Sequence, residues 1–161
     1  MKIRILCIVL VILLVTGMLP AAALAGNEMQ AWQTTLQKSY DYLMTQAEET
    51  TFSVGGNKGE WVVLGLLRNG ADPAMEVFQR YVAAAESFIT QNGENGRLDS
   101  DRSTLNSRVI LALTAMGQDA TNISGENLLT GLDDLDYMTA QGLNGGVWAL
   151  IAVDCNPYTL Q

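Results

Sequence analysis

A threefold repeat of one helical design is the feature that most constrains the fold of this chain. Each copy has an amphipathic segment, a polar or Gly/Asn turn, and an apolar run in which a small residue precedes a leucine. When the copies are superposed, these pairs coincide: Gly65-Leu66, Ala112-Leu113 and Ala149-Leu150. Repeats of this kind, each made of two helices, are typical of αα-hairpins that stack side by side. The repeat therefore predicts an all-α protein.

The sequence also predicts where the helices lie. Amphipathic helices are expected over residues 28–50, from Pro73 to about Gln91 and over 126–141. Helices that are apolar on nearly every side are expected over 60–68, over 102–116 and, after a turn at residues 143–146, up to the stop at Asn156-Pro157. Asp72 is the expected N-cap of the second amphipathic helix. Gly70 and Gly117 are expected to end the first two apolar helices, since glycine readily adopts the left-handed conformation of a helix C-terminus.

The two kinds of helix predict two layers. A helix that is apolar all round has to be covered on both sides, whereas a striped helix can face water. The apolar helices should therefore form an inner layer and the amphipathic ones an outer layer. The third inner helix has no outer helix after it, and its apolar side chains should form an exposed edge. These side chains are Val147, Trp148, Leu150, Ile151 and Val153. We expect missing C-terminal hairpins or a second protein chain to cover this edge.

The N-terminus predicts secretion. Lys2 and Arg4 precede an apolar run over residues 5–15, which Pro20 interrupts, and Ala23-Leu-Ala25 has the small-x-small pattern that signal peptidase reads. This run is shorter than the roughly 18–20 residues that span a bilayer. We expect a signal peptide over residues 1–25, cleaved near Ala25-Gly26, and one helical-repeat domain over residues 26–161; the alternative for the N-terminal run is an uncleaved membrane anchor.

Composition excludes several classes of function. The net charge of −8 disfavours nucleic acid and anionic membranes as partners, since both attract clustered Lys and Arg. The chain contains no histidine, and the mature chain would keep only one cysteine, Cys155, so neither a Cys–His pair nor an internal disulfide can form there. Histidine is also the commonest general base and metal ligand. We therefore expect no cofactor, no metal and no catalytic residues.

Part of the chain resembles a known family. The segments Val109–Asp119, Asn127–Leu129, Gln141–Gly145 and Trp148–Asp154 are similar to the secreted prenyltransferase/squalene-oxidase-repeat proteins of Gram-positive anaerobes. The resemblance implies an α/α toroid of the terpenoid cyclase and protein prenyltransferase type, at the cell surface of a Gram-positive bacterium. A full toroid has about six hairpins, so three would form about half of it. Members often carry transcobalamin-like or cell-wall-binding modules, which implies a corrinoid or the cell wall as a target.

The resemblance does not extend to catalytic motifs. The cyclases have an Asp-x-Asp-Asp motif, and the nearest sequence here, Asp133-Asp-Leu-Asp136, has a different order. The zinc prenyltransferases need a histidine, which is absent. The resemblance therefore implies the fold without the activity.

Three groups of acidic residues have both a functional and a structural interpretation. Asp133, Asp134 and Asp136 can bind Mg²⁺ and a diphosphate or form a solvated face, and we favour the solvated face. Asp99 and Asp101 can hold Ca²⁺ or cap a turn, and we favour the turn. Glu60 with Asp101 can form a glycosidase carboxylate pair, but acids also favour helix N-termini electrostatically.

Trp61, Arg108 and Trp148 are the candidate ligand-binding residues. The two tryptophans lie near the starts of inner helices, where the mouth of a toroid cavity would be, and can stack on a sugar, an isoprenoid or a corrinoid. Packing in the core and a paired arginine are the structural alternatives. We expect a secreted, non-catalytic repeat module that serves binding or interaction. The alternative is the N-terminal part of a terpenoid-cyclase-like or glycosidase-like enzyme, or of a corrinoid-binding surface protein.

Overall fold

The structure is a computed structural model that describes residues 31–48, 52–56 and 58–158. All regular secondary structure in these ranges is helical, without a strand, which confirms the all-α prediction. None of the described helices is long and apolar enough to cross a membrane. The predicted signal peptide lies outside the described residues. The chain divides into two compact units, with the boundary between Tyr42 and Leu43.

The helices are α1 over residues 31–48, α2 Glu60–Arg68, α3 Glu76–Asn92, α4 Ser103–Ala115, a 3₁₀ turn at Thr130–Asp133, α5 Leu135–Thr139 and α6 Leu143–Asp154. The described part of the first unit is the N-terminal portion of α1, up to Tyr42. The second unit contains the rest of α1 and all the later helices.

The inner layer of the second unit is built from α2, α4 and α6. Helix α2 packs against α4, and α4 packs against α6. Val109, Ile110 and Leu113 of α4 are completely buried between these neighbours. The buried face of α6 consists of the small residues Gly145, Ala149 and Ala152. Small side chains bring the two helix backbones close together. The predicted side-by-side packing of the apolar helices is thus present.

Two inner helices end in the same way. The amide of Gly70 donates to the carbonyl of Leu67 at the end of α2, and Gly117 donates to Thr114 at the end of α4. Both glycines have positive φ, +90° and +74°. In each case the next amide donates to the carbonyl five residues back, which completes a Schellman motif. The predicted glycine C-caps are confirmed, and the bounds of α2 and α4 agree with the prediction within one residue.

The outer helix α3 buries one stripe, as the spacing predicted, but begins later than expected. Its buried side chains are Val77, Phe78, Tyr81, Val82, Ala85 and Ile89. The prediction that Asp72 caps this helix is wrong, because Met75 is the N-cap. Asp72 instead accepts a hydrogen bond from the amide of Ala74, 2.9 Å away, and so closes the turn that precedes α3.

The predicted single helix over residues 126–141 is also wrong. This stretch contains only the 3₁₀ turn and the five-residue α5. Leu128 and Leu132 are buried, but Leu135 is 67% exposed, so the leucines do not share one face. A Cβ added to Gly131 would lie 2.8 Å from the carbonyl oxygen of Gly96. The chain bends here because it packs against another loop, and this long-range contact overrides the local helical pattern.

Candidate functional site

The three predicted ligand-binding residues come together in the structure. Trp61 lies in the first turn of α2, and Arg108 and Trp148 lie in the second turns of α4 and α6. The rings of Trp61 and Trp148 are 5.1 Å apart between centroids, with an interplanar angle of 65°. The Cζ atom of Arg108 is 5.8 Å from the centroid of Trp61. We call this group the Trp–Arg cluster; it draws one residue from each inner helix.

The Trp–Arg cluster is open to solvent on one side. Trp61 is 45% exposed, and Arg108 and Trp148 are half-buried. An edge-to-face aromatic pair contributes about 0.5–1.5 kcal/mol to stability, and a cation over an indole ring contributes about 0.5–1 kcal/mol at exposed sites. These contacts hold the three side chains in place, while a large part of one indole stays available to a ligand.

A buried carboxylate lies directly before the first tryptophan of the cluster. Glu60 is fully buried, and its Oε1 accepts hydrogen bonds from the amide of Gly55 at 2.9 Å and from the hydroxyl of Tyr81 at 3.1 Å. The Nη2 of Arg108 donates to the carbonyl of Gly55 at 3.5 Å. Gly55 therefore contacts the carboxylate of Glu60 through its amide and the guanidinium of Arg108 through its carbonyl. Gly55 has a φ of +75°, a conformation that glycine adopts at little cost.

Two polar atoms next to the cluster have no hydrogen-bond partner within the described residues. They are Oε2 of Glu60 and Nε of Arg108, and both are buried. A buried polar atom without a partner costs about 1–3 kcal/mol. Oε2 is an acceptor and Nε is a donor, but both atoms are buried, so they are internal to the protein and are not presented to a ligand on the exposed ring of Trp61.

The tyrosine that contacts Glu60 remains a neutral donor. Burial raises the pKa of Tyr81 well above its usual value, and the charge of Glu60 raises it further, while Arg108 acts in the opposite direction. At neutral pH this phenol therefore keeps its proton and donates to the carboxylate. Its role here is to hold Glu60 in place.

The acidic residues outside the cluster have structural partners. Asp99 accepts from the amides of Asp101 and Arg102 at 3.0 and 2.9 Å, and its pairing with the Arg102 side chain is the main cause that lowers the pKa of Asp99. This supports the turn interpretation. The carboxylates of Glu60 and Asp101 have different partners, since Asp101 accepts from Ser100. Among the described residues, no group of three or more acidic, Cys or His side chains is arranged to hold a metal ion.

Asp133 and Asp136 are exposed, as the solvated-face interpretation predicts, whereas Asp134 between them is half-buried and has a structural role. Asp134 is the N-cap of α5 and accepts a hydrogen bond from the amide of Tyr137 at 3.0 Å, which is the main cause that lowers the pKa of Asp134. Its other oxygen pairs with Arg97. The guanidinium of Arg97 also lies 4.6 Å from the ring centroid of Tyr137. This carboxylate starts a helix and anchors it to the preceding loop.

Cys155 lies just after α6 and is exposed. Its thiol donates to the carbonyl of Ala152 at 3.0 Å. Partial burial raises the pKa of the Cys155 thiol, so the protonated form dominates at neutral pH. A thiol in this form is a poor nucleophile.

The concave surfaces elsewhere in the second unit include a polar cleft and an apolar groove. A polar cleft of about 530 Å³ is lined by Asn92, Glu94, Asn95, Arg97, Asp99, Ser100 and Thr130. Its arginine is paired with Asp134 and its aspartate with Arg102. An apolar groove of about 680 Å³ lies along α5 and α6. Val147, Leu150 and Ile151 of the predicted apolar edge are exposed there and on the adjoining surface of α6.

Sequence reasoning missed Asn106, which holds the second hairpin together. Its Oδ1 accepts from the amide of Leu98 at 2.9 Å and from the hydroxyl of Tyr137 at 3.1 Å. Its Nδ2 donates to the carbonyls of Gly96 and Leu128. An asparagine within a helix that was predicted to be covered on both sides was the available signal, because a buried amide has to find partners.

Comparison with models of known protein families, with curated proteins and with solved structures finds no match to this chain.

Proposed function

We propose that this chain is a secreted, non-catalytic helical-repeat module that binds a ligand at the surface of a Gram-positive cell. The observation that carries the proposal is the convergence of Trp61, Arg108 and Trp148 from three different inner helices. Three helices have to be packed in one register for these side chains to meet. The resulting cluster presents an aromatic surface and a cation together.

The architecture we propose for this module is about half of an α/α toroid of the terpenoid cyclase type. The support is the inner layer, in which α2, α4 and α6 lie in chain order with α4 in the middle. Outer segments separate these helices along the chain, as in stacked αα-hairpins. The third outer segment is irregular, so the repeat is clearest in the inner layer.

Among the ligands we considered, a sugar fits the Trp–Arg cluster best. A sugar ring has an apolar face that stacks on an indole, and hydroxyl groups that accept hydrogen bonds from the half-buried guanidinium of Arg108. An isoprenoid chain would cover the tryptophans but offers no acceptor to the half-buried guanidinium of Arg108. A corrinoid remains the second ligand to test, because its flat macrocycle also stacks on aromatic rings.

Intrinsic tryptophan fluorescence tests this proposal. The chain has three tryptophans, and the third, Trp32, lies in the first unit, so Trp32→Phe leaves only the cluster to report. This variant is titrated with soluble cell-wall glycan fragments, with cobalamin and with farnesyl diphosphate. We expect saturable binding of the glycan with a Kd of about 10 µM to 1 mM, the affinity of a few stacking and hydrogen-bonding contacts.

Matched variants show whether the cluster is responsible. Trp61→Ala should raise the glycan Kd at least about tenfold, the equivalent of 1.4 kcal/mol, whereas Trp32→Ala should leave it unchanged; calorimetry reads both. Circular dichroism checks that each variant is folded. A folded Trp61→Ala with the original affinity, or a titration without saturation for every compound, would contradict the proposed site.

A further inference from the structure

We propose that the Trp–Arg cluster selects a sugar that carries a carboxylate, and that Arg108 is the residue that selects it. This inference rests on the glycan binding proposed above and names the class of sugar. It starts from the guanidinium of Arg108, a half-buried cation to which the described residues supply one hydrogen bond, 3.5 Å long.

Within the described part of the chain, Arg108 has no acidic partner. The ion pairs there join Arg97 to Asp134 and Arg102 to Asp99, and no carboxylate oxygen lies within ion-pairing distance of the Arg108 nitrogens. Arginines that are withdrawn from water are normally paired with an acid. An anionic group on the ligand would supply the partner that these residues do not.

The buried carboxylate of Glu60 does not serve as this partner. Its Oε1 accepts hydrogen bonds from the amide of Gly55 and from the hydroxyl of Tyr81, while Arg108 donates to the carbonyl of Gly55. Glu60 is fully buried, so it is held inside the protein and faces other donors. The guanidinium is left to interact with a group outside the protein.

Arg108 has N–H groups available for such a group. Its Nη2 donates to Gly55 and its Nε is buried, but Nη1 makes no hydrogen bond to a described residue and is not buried. A guanidinium carries two N–H donors on each Nη atom. A carboxylate oxygen can therefore accept from Nη1 while Nη2 keeps its bond to Gly55.

The position of Arg108 fits a charged group at the edge of a sugar ring. Its Cζ lies 5.8 Å from the centre of the Trp61 ring, and Trp61 is 45% exposed. A sugar that covers the exposed part of this indole reaches the guanidinium with a substituent of a few atoms. The tryptophans then recognise the ring, and Arg108 recognises the charge.

The charge of the ligand decides between the possible acceptors. A neutral hydroxyl can accept from Arg108, but a bond between two charged groups is roughly twice as strong as a neutral one. A phosphate monoester carries about −1.5 to −2 at neutral pH and meets stronger repulsion from a chain with a net charge of −8. A carboxylate brings one negative charge to one guanidinium.

Two matched disaccharides test this selection. The first is N-acetylglucosaminyl-N-acetylmuramic acid, and the second is the same molecule with its carboxylate converted to the primary amide, which has the same shape and no charge. Both are titrated into the Trp32→Phe chain, in which the cluster is unchanged. We expect the Kd of the amide to be at least about fivefold higher than that of the acid.

Variants of the arginine show whether it is responsible. Arg108→Gln should raise the Kd of the acid to about that of the amide and change the Kd of the amide by less than about threefold, since only the charged pair is lost. Arg108→Lys keeps the charge and should keep part of the preference for the acid. Arg68→Gln is the matched control, because it removes the same charge from an exposed site in the last turn of α2 and should preserve the full preference.

The outcomes separate this inference from the proposed function. Equal affinities of the unmodified cluster for the acid and the amide would overturn the selection of a carboxylate and leave glycan binding in place. A titration without saturation for both disaccharides would overturn the two proposals together. A preference for the acid that persists in a folded Arg108→Gln chain would overturn the role of Arg108.

Discussion

At the scale of single residues, the second unit depends on two buried polar groups that connect distant parts of the chain. Glu60 links the loop before α2 to Tyr81 in α3. Asn106 links α4 to Gly96, Leu128 and Tyr137. Both side chains are buried, where an unpaired polar atom is costly. Such residues fix the relative positions of the helices, which apolar packing alone specifies less sharply.

Asn106 gives the clearest prediction at this scale. Asn106→Ala removes four hydrogen bonds at once and leaves buried groups without a partner, among them the amide of Leu98. At roughly 1–1.5 kcal/mol for each of two or three such groups, we expect the free energy of unfolding to fall by about 3 kcal/mol. Urea unfolding followed by circular dichroism measures this.

The control is Asn122→Ala, which removes the same side chain from an exposed position and should change the free energy of unfolding by less than about 0.5 kcal/mol. An Asn106→Ala protein as stable as this control would show that the network around the amide contributes little.

At the scale of the elements, close approach of backbones decides how α6 packs. A Cβ on Gly145 would overlap the carbonyl oxygen of Met138 and would lie 2.8 Å from the hydroxyl of Ser103. Helix α6 therefore meets α5 and the start of α4 at a point where only a glycine fits. The next residue, Gly146, faces open space.

These adjacent glycines predict substitutions of opposite sign. Gly145→Ala should lower the free energy of unfolding by about 2–3 kcal/mol, because the helices have to move apart. Gly146→Ala should raise it by roughly 0.5–1 kcal/mol, since alanine favours the helix and meets no neighbour. Thermal unfolding of both variants, monitored in parallel, tests this. Shifts of Tm in the same direction for the two would contradict the packing described for α6.

The elements also show how far the sequence predicted this structure. The bounds of α2 and α4 were predictable because local signals define them: an apolar run and a glycine that ends it. The interruption of the helix between residues 126 and 141 was not predictable. It arises from the close packing of Gly131 against the carbonyl of Gly96 and from the hydrogen bond that Asn106 donates to the carbonyl of Leu128. Such long-range contacts leave little trace in periodicity.

In the candidate site, too, the features that depend on local sequence were predictable and those that depend on long-range contacts were not. Trp61, Arg108 and Trp148 could be singled out because each is an unusual residue on an apolar helix. Their meeting followed from the correct prediction that the inner helices lie side by side. The contact from Tyr81 was not predictable, since Tyr81 lies in α3 and is distant from Glu60 in the sequence. Local pattern thus identified the exposed residues of the site but not the buried ones that hold it.

At the scale of the whole molecule, the buried tyrosines should make the free energy of unfolding decrease at alkaline pH. Burial is the main cause that raises the pKa of Tyr81 well above 10 and that of Tyr137 to about 12. Between pH 10 and these higher values, the unfolded chain has released the two protons and the folded chain still holds them. The unfolded state then binds fewer protons, so the free energy of unfolding falls as pH rises.

Below about pH 9 the two tyrosines should not make the free energy of unfolding depend on pH. Above pH 10 each of them should lower this free energy by up to about 1.4 kcal/mol per pH unit. Tyr81→Phe should lower the free energy of unfolding at pH 7 by about 1 kcal/mol, because Glu60 loses one hydrogen-bond donor. The same variant should reduce the fall of this free energy with rising pH.

Phe52→Leu is the matched control, because Phe52 packs edge-on against the ring of Tyr81, with the centroids 5.5 Å apart, and carries no ionisable group. It should lower stability by a similar amount at every pH and keep the slope. Urea unfolding at pH 7, 9, 10.5 and 11.5 distinguishes the two, and equal slopes for Tyr81→Phe and Phe52→Leu would show that the phenol of Tyr81 does not control the alkaline limit of this fold.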